Sequence, residues 1–316
     1  HGHAADPAYD HVILHVVLFP PSSAYSDGAG GRLIPVFPLL PRLYHDLEEY
    51  AANAAIEVLA NRPSARLLEQ LGRLSLDELR ALLGRYAQGR WAQKVRFAGL
   101  RLAKLGWVET CHHAALEILG YRFNRAPMLR LASAHPLAEW VGGKLNPDEL
   151  YVSERGGWSL QGVRPKNYPQ LRLRQYAAWT AAVPDWPDRL RTAFRELPQL
   201  GGIDETRAAT RVIRKEGRLA AQRESWRQSV GGGVIGGNRW DTLVCDGFLP
   251  LAAAAEGGDG AGRLGVWWHH WFPGDLPAPI RPGLRDLGVI TGPADPCCHG
   301  LGQGVLGWSL AREVTS

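Results

Sequence analysis

The stretch that decides the fold is SLDELRALLGRYAQGRWAQKVRFAGLRLAKLGWVETCHHAALEILG, residues 75–120. It opens with Ser75-Leu-Asp-Glu78, a capping box. The Ser75 hydroxyl can accept from the Glu78 amide while the Glu78 carboxylate reaches back to the Ser75 amide. Leu76, Leu79, Leu82 and Leu83 follow at helical spacing. The pattern predicts a helix from Ser75, a second over 91–105 and a third over 108–119, with Gly106 and Gly120 as punctuation.

Working outward, the remainder also reads as mostly helical. Residues 11–19 alternate as a strand, with His11, Ile13, His15 and Val17 on one face, and Pro20-Pro21 ends it. A Ser/Gly loop over 22–31 and a short second strand over 33–37 come next. Helices are expected over 41–61 (stopped by Pro63), 128–134, 136–141, 169–183, 185–197, and in one long run from Asp204 to Gln228. Residues 142–167 change character, with paired glycines and a hairpin around 151–161. That break divides the chain into 1–141, a β element followed by helices, and 142–316, a basic and mostly helical region. Gly231–Gly237 is a second breaker, 241–255 an apolar helix or strand, and a short helix over 301–313 follows a cluster of tryptophans. The fold class is α+β, predominantly α-helical, with a small N-terminal β element that is incomplete as it stands.

Composition sets bounds on function. The chain has 316 residues, 45% apolar and 21% charged, which is globular. No apolar run reaches the ~18 residues needed to cross a bilayer. The first residue is His1 and the one methionine is Met128, so the chain reads as a fragment. Cys111, Cys245, Cys297 and Cys298 form no C-x-x-C pair, and the adjacent two are badly placed for a bridge. A reducing compartment, the cytoplasm, is expected. Net charge is +5, and the surplus is local: residues 164–227 carry fourteen Lys/Arg against seven Asp/Glu.

Three constellations carry candidate chemistry. The first is His1-Gly-His3-Ala-Ala-Asp6 with His11 and His15. Histidine is a common metal ligand and general base, so His3, Asp6 and His15 are candidate catalytic residues. The plainer reading is hydrogen-bonded histidines flanking a strand. The second is Arg164-Pro-Lys-Asn-Tyr-Pro-Gln-Leu-Arg172, where two prolines stiffen a segment presenting Arg164, Lys166, Asn167 and Arg172. It suits an anion or phosphate, and equally a structural clamp. The third is Arg207, Arg211, Arg214 and Arg218, spaced along one helix face. Such a stripe can follow nucleic-acid phosphates, although most such stripes are solvated faces. The glycine run 231–237 is no P-loop. His112-His113 and His269-His270 are neighbours in sequence and are expected to pack rather than to share a ligand.

Several of these residues resemble a bacterial family known as domain of unknown function 2851. The likeness lies in His1-Gly-His3, Asp6-Pro-Ala-Tyr-Asp10 and Val12-Ile-Leu-His-Val-Val17. It continues through Arg90-Trp91, Lys94, Leu119-Gly-Tyr-Arg-Phe-Asn124 and Leu131-Ala132. Farther on it includes Arg164-Pro165, Asn167, Pro169, Arg172, Gln175 and Gln303-Gly304. Members typically carry an upstream region with a Gly-Pro-Asp-Phe motif and a Glu-x-His strand, which this chain does not contain. That region is similar to the carboxylate strand pair of restriction-endonuclease-like nucleases. The resemblance therefore implies a nucleic-acid-processing protein whose whole form holds Mg²⁺ or Mn²⁺ for phosphodiester attack on DNA or RNA. His3, Asp6 and His15 would lie beside that site and the arginines would grip phosphates. This chain, without the metal carboxylates, should not cleave. The alternative is a non-catalytic nucleic-acid-binding or scaffold protein.

Overall fold

The computed structural model describes residue 7, 10–17, 21, 23–39, 69–121, 123–200, 210–293 and 295–313. The protein is predominantly α-helical with a small three-stranded sheet near the N-terminus. It divides into two compact units, His1–Leu47 and Glu48–Ser316. The helix expected over 41–61 lies outside the described residues.

The first unit holds the sheet. Strand β1 (His15–Val17) runs parallel to β3 (Leu33–Pro38), with His15 opposite Val36. Strand β2 (Tyr25–Asp27) pairs antiparallel with the other edge of β3, with Tyr25 opposite Pro35. The order is β1-β3-β2. The second expected strand is thus the central one, while β2 falls in what reads as a Ser/Gly loop. Its turn closes where the Gly28 amide donates to the Arg32 carbonyl at 2.7 Å. Arg32 then spends its guanidinium on the carbonyls of Asp10 and Val12, anchoring the chain ahead of β1.

The second unit is built on α1 (Leu76–Leu119), which starts at the capping box as predicted. The first two expected helices are one uninterrupted run. At Gly106 the backbone turns to φ 71°, ψ 177°, a conformation open to glycine and costly for other residues. The bend is sharp. Arg101 and Glu117 pair at 3.1 Å, although sixteen residues of straight helix would separate them by about 24 Å. The Thr110 hydroxyl closes the corner by donating to the Gly106 carbonyl at 2.6 Å. Beyond the bend, Thr110–Leu119 is buried throughout.

Around α1 lie α2 (Arg125–Ala134), α3 (Leu137–Val141), α4 (Pro147–Ser153), α5 (Pro169–Ala182) and α6 (Trp186–Arg195). They are followed by α7 (Thr210–Glu216), α8 (Leu219–Ser229) and α9 (Gly237–Thr242). A π-helical segment, Leu243–Phe248, continues α9 into α10 (Leu249–Glu256). The chain ends with α11 (Asp259–His270), α12 (Ile280–Asp286) and α13 (His299–Glu313). Two expectations are corrected. The hairpin around 151–161 is instead α4 and a 3-10 turn, because Asn146 caps and Pro147 starts a helix, and Trp158 folds back to stack on Tyr151. The long helix reaching Gln228 is broken, because Arg218 takes φ 50° and separates α7 from α8.

One apolar cluster runs from Ala87 to Trp271, and the 141/142 position lies inside it. Six of its tryptophans, Trp179, Trp186, Trp240, Trp267, Trp268 and Trp271, are almost fully buried. A second cluster joins Leu79 and Leu83 of α1 to Val305 and Leu306 of α13. Gly304 allows that pairing, since a side chain there would drive into the Leu83 carbonyl. No helix among the described residues is long and apolar enough to cross a membrane.

Candidate functional site: a cationic cavity between α1, the π segment and α13

Burial of charge marks the site. Arg90, Lys94 and Arg101 recur on one face of α1, and that face looks into a cavity of about 100 Å³. After the Gly106 bend the same helix adds Glu117 and Ile118. Arg125, the first residue of α2, Asp246 of the π segment, Asp275 and Gln303 of α13 complete the polar lining. The π segment matters because a wide turn changes which residues face inward, and such turns recur at functional sites.

Each carboxylate is engaged. Lys94 Nζ lies 2.8 Å from Asp246 Oδ1. Glu117 pairs with Arg101, and Asp275 pairs with Arg239 at 2.8 Å. Burial pushes the Asp246 carboxyl up, but Lys94 and His299 overrule it and hold it down at about 2. The His299 ring is fully buried, with Nε2 3.7 Å from Asp246 Oδ1 and no hydrogen bond from either nitrogen to a described residue. Burial lowers its pKa to about 4 despite Asp246, so it is neutral at pH 7. Arg90 Nε donates to Gln303 Oε1 at 3.3 Å, which fixes the α13 wall to α1.

The cations outnumber the anions. Arg90, Lys94, Arg101 and Arg125 face Glu117, Asp246 and Asp275, and Arg239 and Arg172 stand directly behind. Burial and the neighbouring Arg239 pull Arg172 down to about 10, which leaves it charged. The Nε of Arg125 is buried and makes no hydrogen bond to a described residue. Of the lining cations Arg90 is buried and Lys94, Arg101 and Arg125 are half-buried, and an excess of cations at such a site is stabilised by an anion. The acids of the lining are already paired, so the excess charge of the cavity is positive. Among the described residues of the lining, Glu117, Asp246 and Asp275 each face a cation rather than one another.

The residues singled out from sequence fall in scattered places. His3, Asp6 and Arg207 lie outside the described residues. His15 sits exposed on β1, its Nδ1 3.3 Å from the Ser26 hydroxyl. Arg164 and Lys166 are exposed. Asn167 and Arg172 are buried as a clamp, with Arg172 Nη2 donating to Asn167 Oδ1 at 2.7 Å and Nη1 to Gln175 at 2.9 Å. Arg211 and Arg218 are exposed, but Arg214 turns inward and donates to the carbonyls of His270, Trp271 and Cys297. The stripe is therefore not one face. Reasoning from sequence did not single out Arg101, Arg125, Asp246 and Asp275, while Arg90, Lys94 and Gln303 entered only through the family resemblance. The signal available was the spacing of three cations along one face of α1. A separate histidine–cysteine group lies at the end of α11.

No curated protein and no solved structure matches the chain. Arg90, Lys94, Arg101, Glu117 and Arg125 lie within the stretch that a family model matches, and Asp246, Asp275 and Gln303 lie beyond it. A family model described as Protein of unknown function (DUF2851) matches residues 1–151 of the chain.

Proposed function

We propose that this is a cytoplasmic nucleic-acid-binding protein that takes the terminal phosphate of a DNA or RNA strand into the α1/α13 cavity. The observation that carries the reading is the surplus of buried and half-buried cations around that cavity, with Arg125 Nε facing no described partner. The volume of about 100 Å³ suits one phosphoryl group and excludes a base pair. A strand end can enter where a continuous duplex cannot. The basic surplus of residues 164–227 supplies longer-range attraction for a polyanion. Four unbridged cysteines suit a reducing compartment. Binding without cleavage is the better-supported form, because Glu117, Asp246 and Asp275 are all committed to cations. A scaffold role has one observation in its favour: Arg214, a candidate phosphate contact, is used up on backbone carbonyls.

The test is binding of labelled single strands carrying either a 5′-phosphate or a 5′-hydroxyl. A charge-assisted contact worth about 1.5–3 kcal/mol gives the phosphorylated strand an affinity advantage of roughly 10- to 100-fold. Arg125→Ala should remove most of that advantage. Equal affinity for the two ends, in a folded protein, would refute the proposal.

A further inference from the structure

The last turn of α11 meets the first turn of α13. The His299 amide donates to the Trp271 carbonyl at 3.0 Å and joins the two. His269 and His270 close α11, and Cys298 directly precedes α13. All three are buried, and their candidate ligand atoms lie within 4.8 Å of one another. The two imidazole rings meet edge to face at 4.8 Å between centroids.

The surroundings prepare this group for a soft cation. Burial raises the pKa of the Cys298 thiol, and hydrogen bonds from the Thr210 hydroxyl and the backbone amides of Leu301 and Gly300 oppose that rise. The Thr210 hydroxyl also lies 3.0 Å from His270 Nδ1, orienting that ring. Such an outer partner is a regular accompaniment of a ligating histidine. His269 is only 4% exposed. Its ring lies flat against Gly300, where any larger residue would displace it. Arg214 holds the carbonyls of His270, Trp271 and Cys297 beside this group.

We propose that His269, His270 and Cys298 form a zinc site of two imidazole nitrogens and one thiolate, with the fourth position left to a solvent molecule. Nitrogen and sulfur donors select zinc over magnesium or manganese. Tetrahedral zinc with ordinary bond lengths needs its ligand atoms roughly 3.3–3.5 Å apart. The group must therefore contract by up to about 1.5 Å. Three protein ligands and an open position are the arrangement of reactive zinc sites rather than of closed structural ones. The apolar groove bordered by Trp91 and Gly265 reaches His269, so an external ligand has an approach. This site is separate from the phosphate cavity, and neither proposal needs the other.

The experiment measures zinc in the tag-free chain after purification without added metal. The same measurement is made on His269→Gln, Cys298→Ser and, as a control, Cys297→Ser. Cys297 turns its thiol toward the Cys298 carbonyl, outside the proposed set. One equivalent of zinc is expected in the native chain and in Cys297→Ser, falling at least tenfold in the other two. Cobalt(II) added to the metal-stripped native chain should give a thiolate-to-cobalt charge-transfer band. That measurement decides the matter even where a variant fails to fold. Zinc retained by folded Cys298→Ser would put the metal elsewhere and overturn the proposal. A native chain with neither zinc nor the cobalt band would overturn it as well.

Discussion

The same substitution should have opposite effects at two glycines. Gly304 of α13 lies against the backbone of α1: a Cβ there would meet the Leu83 carbonyl oxygen in hard overlap, with the Leu83 carbonyl carbon at 2.9 Å and its Cα at 3.1 Å. These are main-chain atoms, so no rotamer change can relieve the clash. Inserting a methyl into such a contact costs about 1–3 kcal/mol. Alanine in place of helical glycine returns about 0.8–1.0 kcal/mol. With backbone as the obstacle the upper part of the first range applies, and Gly304→Ala should destabilise by about 1–2 kcal/mol. Gly89 lies exposed on α1 with nothing within 4 Å of its would-be Cβ. Gly89→Ala should keep the whole propensity gain of about 1 kcal/mol. At about 2–4 °C per kcal/mol for a chain of this size, the melting temperature should fall by about 2–8 °C in the first variant and rise by about 2–4 °C in the second. Gln303 adjoins the clash and holds Arg90, so Gly304→Ala should also weaken oxyanion binding. Calorimetric melts of the two variants decide it. A rise in both would mean that α13 does not rest on the α1 backbone.

Three further outcomes follow from buried polar groups. His112 has its Nε2 against the His135 carbonyl, an acceptor only, so Nε2 carries the proton and Nδ1 accepts from the Tyr176 hydroxyl at 2.6 Å. Burial first, then His113, lowers its pKa to about 3; His135, Tyr176 and Glu109 are the other titratable groups nearby. A depressed histidine leaves stability intact above the unfolded pKa near 6.5 and removes it as pH falls toward 3. Urea unfolding at pH 5 should therefore show about 2 kcal/mol less stability than at pH 7 from this residue, and an unchanged free energy would contradict the assignment. Arg214→Lys cannot reach three carbonyls from a point charge and should lose about 2 kcal/mol, whereas exposed Arg211→Ala should stay within about 0.5 kcal/mol; equal effects in chemical denaturation would restore the stripe reading. Asp241 is 3% exposed and takes both ends of the Arg223 guanidinium at 2.6 and 2.8 Å. Asp241→Asn should cost about 3 kcal/mol by leaving that charge without its counterion, and a neutral result in the same assay would deny the pair its structural role.

Much of the helical architecture was legible because its signals are local. Ser75 and Glu78 complete a capping box within one turn, and Pro169 starts α5 where a proline costs least. Gly106 was readable as a break, but not as a reversal. That requires the Arg101–Glu117 and Thr110 contacts, which exist only once α1 has bent. Strand β2 was hidden because Tyr25-Ser-Asp27 has little intrinsic strand character and owes its state to pairing with β3. The α7–α8 break turns on a left-handed backbone at Arg218, a residue type that gives no warning of it.

The site was less visible than the fold, for a similar reason. Its lining comes from Arg90, Lys94, Arg125, Asp246 and Gln303, which no sequence window contains together. His269-His270 was expected to pack without a shared ligand, on the argument that adjacent helical residues face apart. Their position at the end of α11 and the arrival of Cys298 from the other side bring the three together. The family likeness placed Arg90, Lys94 and Gln303 among its anchors without saying why; the cavity supplies a physical reason for those three.

The most direct test of the central claim is calorimetric titration of inorganic phosphate into the native chain and into Arg125→Ala. One saturable site in the native protein, lost or weakened at least tenfold in the folded variant, is the predicted result. No binding to the native chain, or equal binding to both, would contradict it.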